Sequence, residues 1–149
     1  KKQSTMLVVA DMERTMDFYK RVWDLIILDF GANETLTGGL ALQTLETWQT
    51  FIDNQPISFG GNASENTSRK TISMPSLQPA ITGNRLRPPV REHSWGQRVV
   101  RFRDTDCHII EVGENMTAIV CRFHAVGMTA GQIAERMDVP MNYIEDCLI

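Results

Sequence analysis

The sequence predicts an α+β fold made of two β-α-β-β-β units followed by α-helices. Three observations predict it. A strand, a helix and three further strands succeed one another in residues 4–44, a two-strand hairpin near residues 97–112 closes a second unit, and helical periodicity fills the tail. A chain of 149 residues, 42% of them hydrophobic and 22% charged, has the length and composition of a globular protein with its own core.

The first unit is defined by periodicity and by turn residues. Residues 4–10 contain a short apolar run typical of a buried strand. Asp11 then stands at a helix N-cap position, and apolar residues at helical spacing follow it as far as Trp23. Three further strands are predicted at 25–30, 34–37 and 40–44, with glycine-containing turns between them. A short helical connection at 46–52 follows the last of these strands.

The second unit is less complete. Residues 57–63 are its predicted opening strand, and residues 97–103 and 108–112 are strands joined by a polar turn. The stretch 65–87 yields no assignment, because Ser and Thr residues interrupt it and two prolines break any long helix. Only the closing hairpin of this unit is therefore well defined.

The tail differs in kind from the rest of the chain. Residues 116–126 predict a helix with Gly127 as its C-cap, and Thr129 and Gln132 are spaced as a capping box for a second helix. One face of the first helix needs a cover, which a homodimer would supply. The apolar residues of that face are Ile119, Phe123 and Val126.

Charge and composition exclude several classes of protein. A net charge of -3 argues against a nucleic-acid binder, and the tail helix that resembles a recognition helix carries Glu145 and Asp146 but no Lys or Arg. No apolar run approaches the roughly 20 residues that span a bilayer, so no membrane partner is expected. The apolar stretch after residues 1–4 is short, so we expect no signal peptide. Three widely spaced cysteines form no zinc pattern, so we expect a reduced, cytoplasmic protein.

Two segments resemble the vicinal-oxygen-chelate superfamily of glyoxalases and bleomycin-resistance proteins. Residues 8–13, followed by Asp-Phe-Tyr at 17–19, are similar to the opening strand and helix of that superfamily. Residues 96–111 are similar to its closing hairpin, F-x-D-P-D-G-H-x-x-E, with Thr105 and Cys107 in place of the usual Pro and Gly. A cysteine where glycine supplies a positive φ predicts mild strain.

The resemblance implies a glyoxalase-like domain at 1–115, with paired βαβββ modules forming a cupped mixed sheet, and a helical C-terminal extension at 116–149. It also implies a divalent metal in the cup, which is zinc, nickel, manganese or iron. Glu111 matches the family's glutamate ligand and is the candidate for both metal binding and catalysis. Ser4 occupies the opening position where His or Gln is usual, and Ser is a weak ligand. Gln43 stands at another candidate ligand position.

Other residues are candidates for binding a small molecule. Gln97 and Arg101 share one face of their strand by alternation, and a hairpin can set that face beside Glu111. Arg101 either binds an anionic ligand or forms an internal ion pair with Glu111. Trp95 and His93 precede this strand and are the remaining candidates, whereas His108 points to the other face.

Three functions remain open from the sequence. The first is a small-molecule-handling protein of the glyoxalase type, acting as a metal-dependent lyase or isomerase on a substrate with adjacent oxygens. The second is a metal-free protein that sequesters a ligand, as bleomycin-resistance proteins do. The third is a ligand-sensing regulator with a helical tail. The Ser at the opening ligand position favours the second, and the family resemblance favours an enzyme.

Overall fold

The computed structural model describes residues 5–23, 27–29, 33–36, 39–70 and 89–149. Ser4 and most of the unassigned stretch 65–87 lie outside these ranges. The chain divides into two compact units. The first comprises Lys1–Asn66 and Arg103–Ile110, and the second comprises Thr67–Phe102 and Glu111–Ile149.

The first sheet has the predicted β-α-β-β-β connectivity. Its strand order is β1-β4-β3-β2, in which β1 runs parallel to β4 while β3 runs antiparallel to both β4 and β2. The helix α1 joins β1 to β2, and the shorter α2 follows β4. The bounds are β1 Thr5–Val9, α1 Met12–Trp23, β2 Ile27–Asp29, β3 Asn33–Leu36, β4 Leu40–Thr44 and α2 Leu45–Phe51.

Local interactions explain why α1 forms where it does. The Asp11 Oδ1 atom accepts a hydrogen bond from the backbone N–H of Arg14 at 3.0 Å, which satisfies one of the free donors at the helix start. Charges favourable to the helix dipole lie at both ends. Tyr19 and Val22 are buried, and they form part of the core together with Leu42 of the central strand β4.

The second sheet repeats the order of the first. Its order is β5-β8-β7-β6, which corresponds strand for strand to β1-β4-β3-β2. The bounds are β5 Glu65–Lys70, β6 Arg91–Glu92, β7 Arg98–Arg103 and β8 Ile109–Glu114. The fold class is therefore the predicted α+β class with two βαβββ-type sheets. The position for the second module's helix, between β5 and β6, falls on 71–88, outside the described residues.

The opening strand of the second module corrects the sequence prediction. Residues 57–63 were predicted to form it but contain no strand, and Gly60 has a φ of +87°, which interrupts an extended run. The strand is instead the polar segment Glu65–Lys70. It lies at the edge of its sheet, where backbone pairing is needed on one side only and polar side chains are tolerated. Hydrophobic periodicity is a poor guide to such a strand.

The tail forms three helices, α3 Met116–Ala125, α4 Ala130–Met137 and α5 Met141–Leu148. The predicted capping box is present, since Thr129 and Gln132 exchange hydrogen bonds at the start of α4. Gly127, with a φ of +90°, follows the end of α3. No helix of the described residues is both long enough and apolar enough to cross a bilayer.

The tail has its own hydrophobic cluster, and this corrects the argument for a dimer. Ile119 and Phe123 are buried within it, against residues of α4 and α5, so their face is already covered inside the chain. Val126 is 73% exposed and stands apart from this cluster. The homodimer stays a prediction, without the support that this face was expected to give. The buried members of the cluster are Ile119, Val120, Phe123, Ile133, Met137 and Ile144.

Candidate functional site

Glu111 is a buried carboxylate in an otherwise apolar stretch of β8. Its neighbours Ile110 and Val112 are fully buried, and Glu111 itself is only 6% exposed. A charge in such a place must be compensated. The guanidinium of Arg101 on β7 supplies the compensation by contacting Glu111 Oε2. Because no residue of the described ranges gives that oxygen a well-aligned hydrogen bond, we regard the contact as an ion pair.

The ion pair answers one of the questions left open by the sequence. Arg101 and Glu111 do lie together, as strand alternation predicted, and the internal pairing of their charges is present. The Arg101 side chain is 40% exposed whereas that of Glu111 is 8% exposed. A guanidinium has five N–H donors, so its contact with Glu111 does not by itself prevent Arg101 from contacting a ligand as well.

Gln97 is positioned by the chain itself. It is 6% exposed, its Nε2 donates to the carbonyl of Glu114 at 3.0 Å, and its Oε1 accepts from the Trp95 indole N–H at 3.3 Å. Gly113 makes room for this side chain, because a Cβ there would lie 2.9 Å from Gln97 Nε2. Each end of the amide retains one further hydrogen-bonding position. Its contact with a ligand stays a prediction.

Trp95 and His93 form a stacked pair in the turn before β7. Their ring centroids are 4.2 Å apart and the rings are 11° from parallel. The turn is closed by a hydrogen bond from the N–H of His93 to the carbonyl of Gln97 at 2.9 Å. Trp95 is 36% exposed. The stacking leaves an aromatic surface beside Gln97, and the ligand contacts predicted for both rings stay predictions.

A cleft of about 320 Å³ opens beside Arg101 and contains a residue that sequence reasoning missed. Its described lining residues are Pro89, Arg91, Val99 and Arg101. Arg91 lies in β6, and the sheet register places it opposite Val99 of β7. A strand of two residues is too short to show periodicity, so Arg91 gave no signal in the sequence. None of these lining residues is acidic, and two carry guanidinium groups.

Gln43 lies in the first unit, on β4, and is 3% exposed. The other described candidates, from His93 to Glu111, all belong to the second unit. Participation of Gln43 in the same site stays a prediction, and Ser4 lies outside the described residues.

The described donor set does not fit the divalent metal that the resemblance implies. Within the described ranges, no group of three or more His, Cys, Asp or Glu side chains could hold a metal ion. Glu111 is engaged by a guanidinium, which competes with a cation for the carboxylate. The histidines serve elsewhere, since His93 stacks on Trp95, His108 binds Asp104 and His124 is exposed.

The turn between β7 and β8 contains a buried polar cluster that the sequence did not predict. Asp104 accepts a hydrogen bond from the Tyr19 hydroxyl at 2.8 Å and pairs with His108 Nδ1 at 2.9 Å. Burial alone would raise the pKa of Asp104, but the hydrogen bonds from His108 and Tyr19 outweigh it and lower that pKa below its usual value. The same bond to Asp104 raises the pKa of His108, against the opposing effect of burial.

The turn also contains Cys107 and His108, at two positions of the motif shared with the family. Cys107 has a φ of +67°, as expected for a residue in the usual glycine position. His108 takes part in the turn through Asp104. Burial, followed by the neighbouring Asp104 carboxylate, raises the pKa of Tyr19 far above its usual range, so the Tyr19 hydroxyl stays protonated and donates to Asp104.

Comparisons with known proteins agree with this architecture. A family model described as a glyoxalase-like domain matches residues 3–117. A structure of a protein of unknown function from Agrobacterium tumefaciens is 26% identical, with a TM-score of 0.63, covering 78% of this chain and 94% of its own. No curated protein sequence matches this chain significantly.

Two structures of lower identity share the fold. A glyoxalase-related enzyme from Fulvimarina pelagi is 17% identical, with a TM-score of 0.63, covering 77% of this chain and 88% of its own. A glyoxalase/bleomycin resistance/dioxygenase family enzyme from Burkholderia phytofirmans is 13% identical, with a TM-score of 0.64, covering 75% of this chain and 96% of its own.

Proposed function

Because this chain belongs to the glyoxalase-like domain family of the vicinal-oxygen-chelate superfamily, whose members handle small molecules, we propose that it binds a small organic anion without a metal ion. The observation that supports this most is the pair of guanidinium groups, Arg91 and Arg101, lining one cleft that has no acidic residue among its described lining. Glu111 neutralises one of them, so the described lining of the cleft keeps a net positive charge that favours an anion.

The chemistry of these residues favours a carboxylate over a neutral ligand. A guanidinium matches the two oxygens of a carboxylate in a bidentate geometry. Val99 and Pro89 supply apolar wall beside the two arginines. Glu111 then acts as a positioning residue, since it restrains the Arg101 side chain in the orientation that the ligand requires. Ordering of Arg101 before binding reduces the entropy that binding would otherwise cost.

The metal-dependent lyase or isomerase remains the alternative that the superfamily suggests. It would need Glu111 to exchange its partner Arg101 for a metal ion, together with ligands from outside the described second unit. We therefore place it second. The two alternatives predict opposite effects of added metal, which makes them separable in one experiment.

The test is an NMR titration with pyruvate, whose carboxylate and keto oxygens are adjacent. Pyruvate should give saturable shifts around β6 and β7 in the presence of EDTA. Arg101→Gln and Arg91→Gln should each weaken binding about tenfold, the value expected for one charge-assisted hydrogen bond. Arg69→Gln, an exposed arginine of β5 that is absent from the described lining of the cleft, is the matched control and should bind normally.

Two outcomes would overturn the proposal. If all three arginine variants bind as the native chain does, the cleft is not the site. If binding appears only when zinc or manganese is added and is abolished in Glu111→Gln, the metal-dependent alternative is correct. Arg91→Gln should leave the fold intact, since Arg91 is exposed and makes no ion pair with the part of the chain that the structure describes. A loss of binding in this variant therefore reports on the cleft and not on unfolding.

A further inference from the structure

A second cleft, of about 220 Å³, lies in the first unit and is not used by the proposed function. One wall is the connection after α2, which includes Ser58, Phe59 and Ser64, and the other is the turn that carries His108. At about 30 Å³ for each water, the volume holds about seven water-sized groups. The site therefore suits a very small ligand. The described lining residues are Leu7, Ser58, Phe59, Gly60, Gly61, Ala63, Ser64, Asn66, Cys107, His108 and Ile109.

The imidazole of His108 is fixed in this cleft. Its Nδ1 is bound to Asp104, whose side chain is fully buried behind it, and its ring packs edge-on against Phe59 with centroids 6.0 Å apart. Nδ1 is thus committed, and Nε2 is the ring nitrogen that a ligand can reach. The His108 side chain is 21% exposed, so it is neither sealed in the core nor fully solvated.

The lining supplies hydrogen-bond donors and no carboxylate. Ser58, Ser64 and Asn66 are neutral donors, and the described lining contains no Asp or Glu. Two carboxylates outside the described lining act on the His108 imidazole. The hydrogen bond to Asp104 raises the pKa of His108, and the charge of Asp106 adds to this effect.

Arg103 stabilises the two walls of the cleft from outside its lining. Its Nη1 donates to the carbonyl of Gly61 at 3.4 Å and also to the carbonyl of Cys107. Gly60 packs close to Cys107, since a Cβ at Gly60 would lie 3.7 Å from the Cys107 Cβ. The walls are therefore joined by contacts other than those a ligand would make.

From these contacts we propose that the cleft is a second binding site, specific for a small oxyanion held by His108 Nε2–H and by the hydroxyl and amide donors opposite. The ligand is a carboxylate or phosphate of a few heavy atoms. No covalent step is involved. The site belongs to the first unit and its residues differ from those of the pyruvate cleft, so each can fail without the other.

Acetate is the primary probe, because its charge is constant between pH 6 and pH 9. In an NMR titration at pH 6 it should give saturable shifts confined to residues 58–66 and 107–109 and to the His108 ring. Raising the pH to 9 lowers the protonated fraction of the imidazole, so binding should weaken about tenfold. A parallel titration with inorganic phosphate distinguishes the two ligand classes. Tighter binding of acetate indicates that the site prefers a carboxylate, and tighter binding of phosphate indicates that it prefers a phosphate.

Ser64→Asp gives a test that leaves Asp104 and His108 intact. Ser64 is exposed, so the variant should fold, and its carboxylate should repel acetate and abolish the shifts. Asn54→Asp, in the exposed turn after α2, adds the same charge outside the described lining and should bind normally. The proposal is overturned if acetate produces no saturable shift at pH 6, if pH 9 leaves its affinity unchanged, or if Ser64→Asp binds as Asn54→Asp does.

Discussion

Replacement of Tyr19 by Phe isolates one hydrogen bond in the buried cluster of the first unit. Tyr19 is fully buried, and its hydroxyl donates to Asp104 Oδ2 at 2.8 Å. The substitution removes only the hydroxyl and leaves a buried carboxylate with one donor fewer. A hydrogen bond to a charged group contributes about 1.5–3 kcal/mol to the free energy of unfolding, so we expect a loss in that range at pH 7.

The measurement is urea denaturation followed by circular dichroism, at pH 7 and at lower pH. The folded-state pKa of Asp104 is depressed, so the stability it contributes is present above its unfolded pKa and is lost as the pH falls through its folded pKa. The difference between the native chain and Tyr19→Phe should therefore shrink as the pH falls through that range.

Tyr143→Phe is the matched control, since the half-buried Tyr143 hydroxyl interacts with the neutral side chains Thr117 and Cys147 and, among the described residues, not with a carboxylate, and its loss should cost about 0.5–1.5 kcal/mol with no carboxylate-linked dependence on pH. A loss below about 0.5 kcal/mol for Tyr19→Phe at pH 7 would refute the reasoning.

Three further predictions follow from the geometry. Arg101→Ala should cost about 1–3 kcal/mol of unfolding free energy, because it leaves the buried Glu111 carboxylate without its ion-pair partner. Glu111→Gln should cost less than about 1 kcal/mol, because the Arg101 side chain is exposed enough to be hydrated. Equal losses of the two variants in urea denaturation would contradict this. Gly127→Ala and Gly96→Ala introduce similar backbone strain, since the two glycines have φ values of +90° and +91°. Only the Cβ at Gly96 would collide with a buried aromatic ring, that of Phe123. Thermal denaturation should therefore show Gly96→Ala to be about 2 kcal/mol less stable than Gly127→Ala. The folded-state pKa of His108 is raised, so stability should fall as the pH rises from its ordinary value of 6.5 through the raised pKa, and His108→Gln should lack this dependence; the two pH profiles of unfolding free energy decide.

Local patterns in the sequence predicted the elements whose structure is set locally. Strand β4 matches its predicted bounds to the residue, and the capping box at Thr129 is present. The pairing of Arg101 with Glu111 was also accessible, because strand alternation and one hairpin suffice to bring the two residues together.

The errors and omissions arise where distant segments determine the structure. The opening strand of the second module is polar because it lies at a sheet edge, and residues 57–63 look more like a strand by hydrophobicity alone. The bond between Tyr19 and Asp104 joins residues 85 positions apart, and no local pattern encodes such a contact. Arg91 lies in a strand too short for any pattern to mark.

The late turn at Arg103–Ile110 belongs to the same compact unit as the first 66 residues, and this has a consequence for biosynthesis. The N–H of Ala10 donates to Asp106, 96 positions later in the chain. During translation, the first unit therefore remains incomplete until the residues near 110 have left the ribosome, and an early-terminated chain ending at residue 66 lacks the partners of Ala10 and Tyr19. The chain must close a long loop before this unit reaches its full stability, which slows folding relative to a self-contained module.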